Sequence, residues 1–359
     1  MQPRALLSFV LAAVATGATA VPAEKRASCT VSSVDDASDL SDCSSVTIEA
    51  FTVASGDTLT ISAASGATIT MAGDITFAKT SAGGPLITID TDDVTFNGAG
   101  HIIDGNGAEY WDGEGTNGGV TKPHPFVKFK GFGTFSDFTV KNSPAQAISV
   151  GTTGGSATFD SVTVDNSAGD SGDLGHNTDG FDVSASDVTI QNSKVMNQDD
   201  CVAINSGTNL VFKDNTCSGG HGISIGSIAS SKVVSGVTIS GNTVTNSMYG
   251  MRIKVDSDAT GSVSDVTYSG NTISANDKYG FLISQSYSED FGTPGTDSTV
   301  SDINFTGATT TVTTTGKYPV VGVDCGHCTG TWDWSSLKAT GGEAADIVAD
   351  DATITGGTY

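Results

Sequence analysis

One short pattern recurs between residues 147 and 283: a small residue, then apolar, polar, apolar. Its copies are Ala147-Ile-Ser-Val150, Gly180-Phe-Asp-Val183, Cys201-Val-Ala-Ile204, Gly222-Ile-Ser-Ile225, Gly250-Met-Arg-Ile253 and Gly280-Phe-Leu-Ile283. Each is a strand-length alternation with no sustained helical period. A single copy has too little apolar surface to fold, so the copies must stack and share one core.

A second series runs beside the first: Val94-Thr-Phe96, Phe138-Thr-Val140, Val162-Thr-Val164, Val188-Thr-Ile190, Leu210-Val-Phe212, Val237-Thr-Ile239, Val266-Thr-Tyr268 and Ile303-Asn-Phe305. Most members are followed by an Asn: Asn97, Asn142, Asn166, Asn192, Asn215, Asn242 and Asn271. A loose period in the twenties with β-branched residues signals a solenoid. Asn tolerates the left-handed bend between strands, and its amide can hydrogen-bond to a copy one rung away. The expected fold is all-β: a right-handed parallel β-helix with rungs about 4.8 Å apart. Two columns should fill its interior: Ile148, Phe181, Val202, Ile223, Met251, Phe281, and Val150, Val183, Ile204, Ile225, Ile253, Ile283. Residues 33–42 predict a short N-terminal capping helix with Asp or Ser at its N-cap. A last strand is expected near residues 352–355. The irregular spacing counts against an antiparallel sandwich or propeller.

Residues 1–20 read as a signal peptide: Arg4, an apolar run to Ala15, then Ala18-Thr-Ala20. Lys25-Arg26 reads as a dibasic site, which makes 21–26 a propeptide, and the unbroken repeats make 27–359 a single β-helix domain. No later segment is long and apolar enough for a membrane helix. A secreted, extracellular protein is expected. The net charge of −24 argues against nucleic-acid and anionic-membrane partners, whose phosphates demand a basic face. Six cysteines, Cys29, Cys43, Cys201, Cys217, Cys325 and Cys328, read as disulfides in such a chain, with sequence neighbours pairing as 29–43, 201–217 and 325–328. Cys325-Gly-His-Cys328 has the spacing of a redox or zinc pair as well; an oxidising compartment and the lack of a second such pair weigh against it.

With the first series aligned, the residue before each small one reads Gln146, Asp179, Asp200, His221, Tyr249, Tyr279. Two carboxylates and an imidazole therefore stack on consecutive rungs, with Asp199 beside them. Such clustering of like charges usually marks function. Strict alternation would aim this column into the core, so Gly180, Cys201 and Gly222 are expected to mark a bend that turns it outward. Arg252 and Lys254, two residues apart, share one strand face. Cations beside carboxylates suit capture of an anionic substrate. Concerted carboxylates are the apparatus of glycoside hydrolysis.

Asn177-Thr-Asp179, Gln198-Asp-Asp200, Gly220-His-Gly222 and Arg252-Ile-Lys254, in this order and spacing, resemble the four signature segments of fungal endopolygalacturonases in glycoside hydrolase family 28. The resemblance runs from about Cys29 to the end. It implies hydrolysis of α-1,4-linked galacturonan, in pectin or polygalacturonate, with inversion. It implies Asp199 as general acid, Asp179 and Asp200 as activators of water, and His221 as support for the acid. Arg252, Lys254 and Tyr287 would bind substrate; Asn177 would line the cleft and His176 reach it. No metal and no cofactor are implied. A monomer is expected, with room for a plant inhibitor protein as partner. By the generic spacing rule, carboxylates on neighbouring rungs point instead to retention. Asn304-Phe-Thr306 is an N-glycosylation sequon.

Overall fold

The computed structural model describes residues 27–276 and 278–359. The expected signal peptide and propeptide lie outside the described residues. The chain winds as a right-handed parallel β-helix with three faces. Each turn contributes one short strand to each face. An eleven-stranded sheet forms one face, running from Phe51–Val53 to Leu337–Glu343. The other two merge where the 14-residue strand Asp200–Lys213 turns the corner between them.

The first repeat series forms one face in the expected register. Ile148 pairs with Phe181, Phe181 with Val202, Val202 with Ile223, Ile223 with Met251, and Met251 with Phe281. Both expected interior columns are buried, every member at 2% exposure or less. Aromatic rings thicken this core: Phe135 stacks on Phe159 at 4.9 Å, and Phe159 meets Phe181 edge-on at 5.9 Å.

The second series was misaligned in its early members. Phe138-Thr-Val140 and Val162-Thr-Val164 belong to the eleven-stranded face, through strands Thr139–Lys141 and Thr163–Asp165. The true partners of Val94–Asn97 are Gly133–Ser136 and then Ala157–Asp160. A three-residue apolar–Thr–apolar pattern is the same on both faces, so pattern alone could not separate them. The Asn ladder is real: Asn215 N–H donates to Asn242 Oδ1 at 2.9 Å, and Asn242 N–H to Asn271 Oδ1 at 3.0 Å. Ser193 replaces Asn192 in it, its N–H donating to Asn215 Oδ1. Asn192 takes the left-handed bend one residue earlier, with φ 52°.

The expected capping helix is only a 3-10 turn, Asp35–Ser38, whose N-cap Val34 makes no side-chain cap. Asp36 instead collects Ser32 N–H, Ser32 Oγ and Ser33 Oγ on its own carboxylate. Such local bonds compete with helix formation. A last strand occurs at Thr353–Thr355, and the buried Trp332 and Trp334 fill the core near that end. The disulfides are 29–43, 201–217 and 325–328. No helix of the described residues is long and apolar enough to cross a membrane.

Candidate active site

The site grows from an irregularity in the first face. Asp200 pairs with Gly222 and Val202 with Ile223, so Cys201 is the extra residue of a β-bulge. Cys201 and Val202 are consecutive residues, and both are buried among the core side chains. Two successive inward residues reverse the alternation and turn Asp200 out, as the small-residue bend predicted. The Cys201–Cys217 disulfide holds the bulged residue against the neighbouring face.

Close backbone approach fixes the loop below. His221 N–H donates to the Asp199 carbonyl at 2.8 Å. Gly220 has φ 61°, and a Cβ there would lie 2.0 Å from that same carbonyl. The buried Asn197 amide donates to the carbonyls of Thr178, Asp199 and Asp200 at 2.9–3.0 Å, tying two turns together.

Asp200 is 1% exposed and both its oxygens are engaged. Arg252 Nη2 and Ser224 Oγ each donate to Oδ1 at 2.7 Å; Lys254 Nζ donates to Oδ2 at 2.5 Å. Burial pushes this carboxyl up, but Lys254 and Arg252 outweigh it and hold it at about 2. Asp200 is ionised across the working range. Arg252 and Lys254 are 5% and 6% exposed. In the structure they serve as the counter-ions of Asp200.

Asp199 points elsewhere. Its Oδ1 lies 3.0 Å from His221 Nδ1 and accepts Asp200 N–H at 2.8 Å. Its Oδ2 accepts Asn177 Nδ2 at 3.0 Å. Asn177 sits at φ 52°, and its Oδ1 in turn takes Thr116 N–H at 3.0 Å. Asp179, 8% exposed, is pushed well above the usual carboxylate range by burial and then by Asp199, Asp182 and Asp200. Burial thus favours the neutral form of Asp179, while the cations favour the charged form of Asp200. Carboxylates of unlike proton affinity side by side are the pattern of acid–base assignment.

Three contributors escaped sequence reading. Asp182 faces outward beside Asp179 and is raised to about 7 by burial, then by Asp200 and Asp199. Its signal was present, since it is the polar residue of its repeat. Ser224, the matching residue two rungs on, braces Asp200. Tyr249 lies under Arg252, its ring centre 4.0 Å from the guanidinium carbon; it stood in the aligned column but carried no charge to mark it.

Two cavities adjoin residues that touch the cluster, one at His221 and one at Tyr287. One arm, of about 540 Å³, is lined by His176, Gln198, His221 and Met248 among others. The other, of about 340 Å³, is lined by Tyr287, Ser257 and Glu289. Tyr287 also faces Lys254, at 5.3 Å from its ring centre. Asn304 lies on a different face; its Oδ1 accepts Asp333 N–H at 2.8 Å. Asp199, Asp200 and His221 bring ligand-type atoms within 4.8 Å of one another. A divalent ion there would meet Arg252 and Lys254 already neutralising Asp200, so this donor set fits one poorly.

A parallel β-helix carrying clustered, unequally acidic carboxylates on an open groove defines a polysaccharide-acting glycosidase. The family model described as "Glycosyl hydrolases family 28" matches residues 43–354. The chain belongs to this family. It is 45% identical over 313 residues to an endo-polygalacturonase of Sclerotinia sclerotiorum, covering 84% of this chain and 80% of that one. It is 42% identical over 348 residues to endopolygalacturonase I of Aspergillus niger, covering 94% of each. The solved endopolygalacturonase I of Stereum purpureum, complexed with two galacturonates, is 61% identical with TM-score 0.91, covering 92% of this chain and 100% of that one.

Proposed function

We propose that the protein is a secreted endopolygalacturonase that hydrolyses internal α-1,4 linkages of polygalacturonate and pectin. The observation carrying this reading is the Asp199–Asp200 pair with opposed partners: Asp199 turned to His221 and Asn177, Asp200 to Arg252 and Lys254. Residues 29–43, 201–217 and 325–328 are disulfide-bonded, which suits an oxidising, extracellular compartment.

Asp199 is the general acid that protonates the leaving oxygen, with His221 holding its carboxyl in place. Asp179 and Asp200 hold and activate the attacking water. Burial, and then the neighbouring carboxylates, favour the protonated form of Asp179. Arg252 and Lys254 keep donors beyond those given to Asp200, and these take a galacturonate carboxylate. Tyr287 meets the sugar in one arm, His176 and Asn177 in the other. Inversion rests on the family, because the spacing rule by itself assigns retention.

Brief digestion of polygalacturonate, with and without chelator, tests the reading. A ladder of saturated oligomers, with the inverted anomer formed first by NMR, is expected. Monomer alone would mean exo action; a chelator-sensitive, ultraviolet-absorbing product would mean a lyase. No turnover would leave a carbohydrate-binding solenoid, and preference for xylosylated galacturonan a xylogalacturonan hydrolase. A monomer and a plant inhibitor protein as partner are further proposals, tested by sizing and by inhibition of the same digest. Glycosylation at Asn304 is read from the mass of the secreted protein.

A further inference from the structure

Lys128 is the polar residue of strand Val127–Phe129, between two core side chains. It stands on the same face as the carboxylate site. Register places it in one outward column: Lys128 pairs with Ser149, Ser149 with Asp182, Asp182 with Ala203, Ala203 with Ser224, and Ser224 with Arg252. Five steps at about 4.8 Å put Lys128 about 24 Å from Arg252 along the helix axis. Arg252 and Lys128 are thus cations at two ends of a single row, with the carboxylates between.

The two cations differ in what they hold. Arg252 and Lys254 are committed to Asp200. Lys122 is committed to Asp112, Lys278 to Asp290, and Lys130, two residues on, to Asp90 at 3.6 Å. Lys128 is half-buried, and among the described residues its ammonium makes no ion pair or hydrogen bond. Its stem passes Gly151, with Cε at ordinary van der Waals distance, 4.0 Å, from where a Cβ there would stand. A half-buried stem that leaves its ammonium without an anion can offer that charge to a ligand carboxylate. Lys141 and Lys213 are likewise half-buried without an ion pair, but they stand on the other two faces, whereas Lys128 stands on the face of the site.

We propose that Lys128 is a distal subsite for one carboxylate of a uronic-acid polymer bound along this face. The proposal rests on the galacturonan reading above and adds to it a determinant of chain length. A short oligomer held at Arg252 ends before Lys128; a chain spanning the column reaches both. The enzyme therefore gains affinity with substrate length, and the gain ends once the chain passes Lys128.

The test compares Lys128→Gln, Lys128→Arg and Lys128→Glu on oligogalacturonates of graded length. For chains that span the column, Lys128→Gln raises KM about two- to fivefold, the range for one partly exposed charge contact, with kcat unchanged. Lys128→Glu raises it further, and Lys128→Arg restores the wild-type value. For short oligomers the three variants match wild type in KM. A KM rise that is the same at every length, or absent at all lengths, overturns the proposal. Calorimetric binding of the same oligomers reads the length dependence without turnover. Failure of the galacturonan reading would appear separately, as a wild-type protein that neither cuts nor binds any of them.

Discussion

The guanidinium of Arg252 rests on the ring of Tyr249, 4.0 Å from its centre. Tyr249 Oη donates to Asp290 at 2.8 Å and accepts Lys278 Nζ at 2.9 Å. The ring also meets His221 edge-on at 6.0 Å. One tyrosine thus steadies the cation that holds Asp200 and the imidazole beside Asp199, and is itself pinned by an ion pair.

Tyr249→Leu should remove the stacking and lower kcat/KM about 30-fold, the equivalent of a desolvated cation–π contact near 2 kcal/mol. Tyr249→Phe keeps the ring and loses only the hydroxyl's bonds. It should cost about 1–3 kcal/mol of stability and little turnover. Steady-state kinetics on both variants, with thermal melts, separates the two; equal kinetic loss would show that the hydroxyl, not the ring, matters.

Lys254→Met should destabilise the fold by about 3–5 kcal/mol, because it strips a counter-ion from a buried carboxylate. Adding Asp200→Asn to it should recover part of that loss, since the orphan charge is then gone. Denaturant melts of the two singles and the double close the cycle. Additive losses would mean the pair is not coupled.

Stability should fall as pH rises from about 4 to about 7. Asp182 is raised to about 7 and Asp179 is raised well above its ordinary value. A raised carboxyl stabilises fully below its unfolded pKa and loses that contribution as pH climbs through its folded one. Asp182→Asn should flatten this slope, by at most about 4 kcal/mol before groove water screens it. Asp200, held at about 2, works the other way and gives up its contribution only as pH falls from about 4 toward 2. Melting temperature against pH for wild type and Asp182→Asn measures both limbs. Identical curves would remove Asp182 from the balance.

Asp199→Asn should lower kcat about 10²–10⁴-fold, the usual share of a general acid, with the melting temperature little changed. The wild-type rate should follow a bell with an acidic optimum, since one carboxyl must stay protonated while another is ionised. Retained turnover in Asp199→Asn would sink its assignment.

Much of this was legible in the chain. The small–apolar–polar–apolar copies give the register of the site face residue by residue, because stacked strands in parallel pair like with like. The four motifs likewise name residues that meet: Asp199 contacts His221, and Asp200 contacts Arg252 and Lys254. Phe138-Thr-Val140 shows where the reading failed, since an identical local pattern serves two faces. The capping helix failed for a related reason: Asp36 bonds its own neighbours, a choice that composition does not reveal.

Order and spacing alone settled that the chain coils and which side chains share a column, for periodicity is a property of one dimension. What each ionisable group does was settled in space. A bulge at Cys201 decided which way Asp200 looks, contacts spanning 52 and 54 residues hold its carboxyl down, and burial pushes that of Asp179 up. Proton affinity depends on burial and on the nearest opposite charge, and neither exists until the coils are stacked.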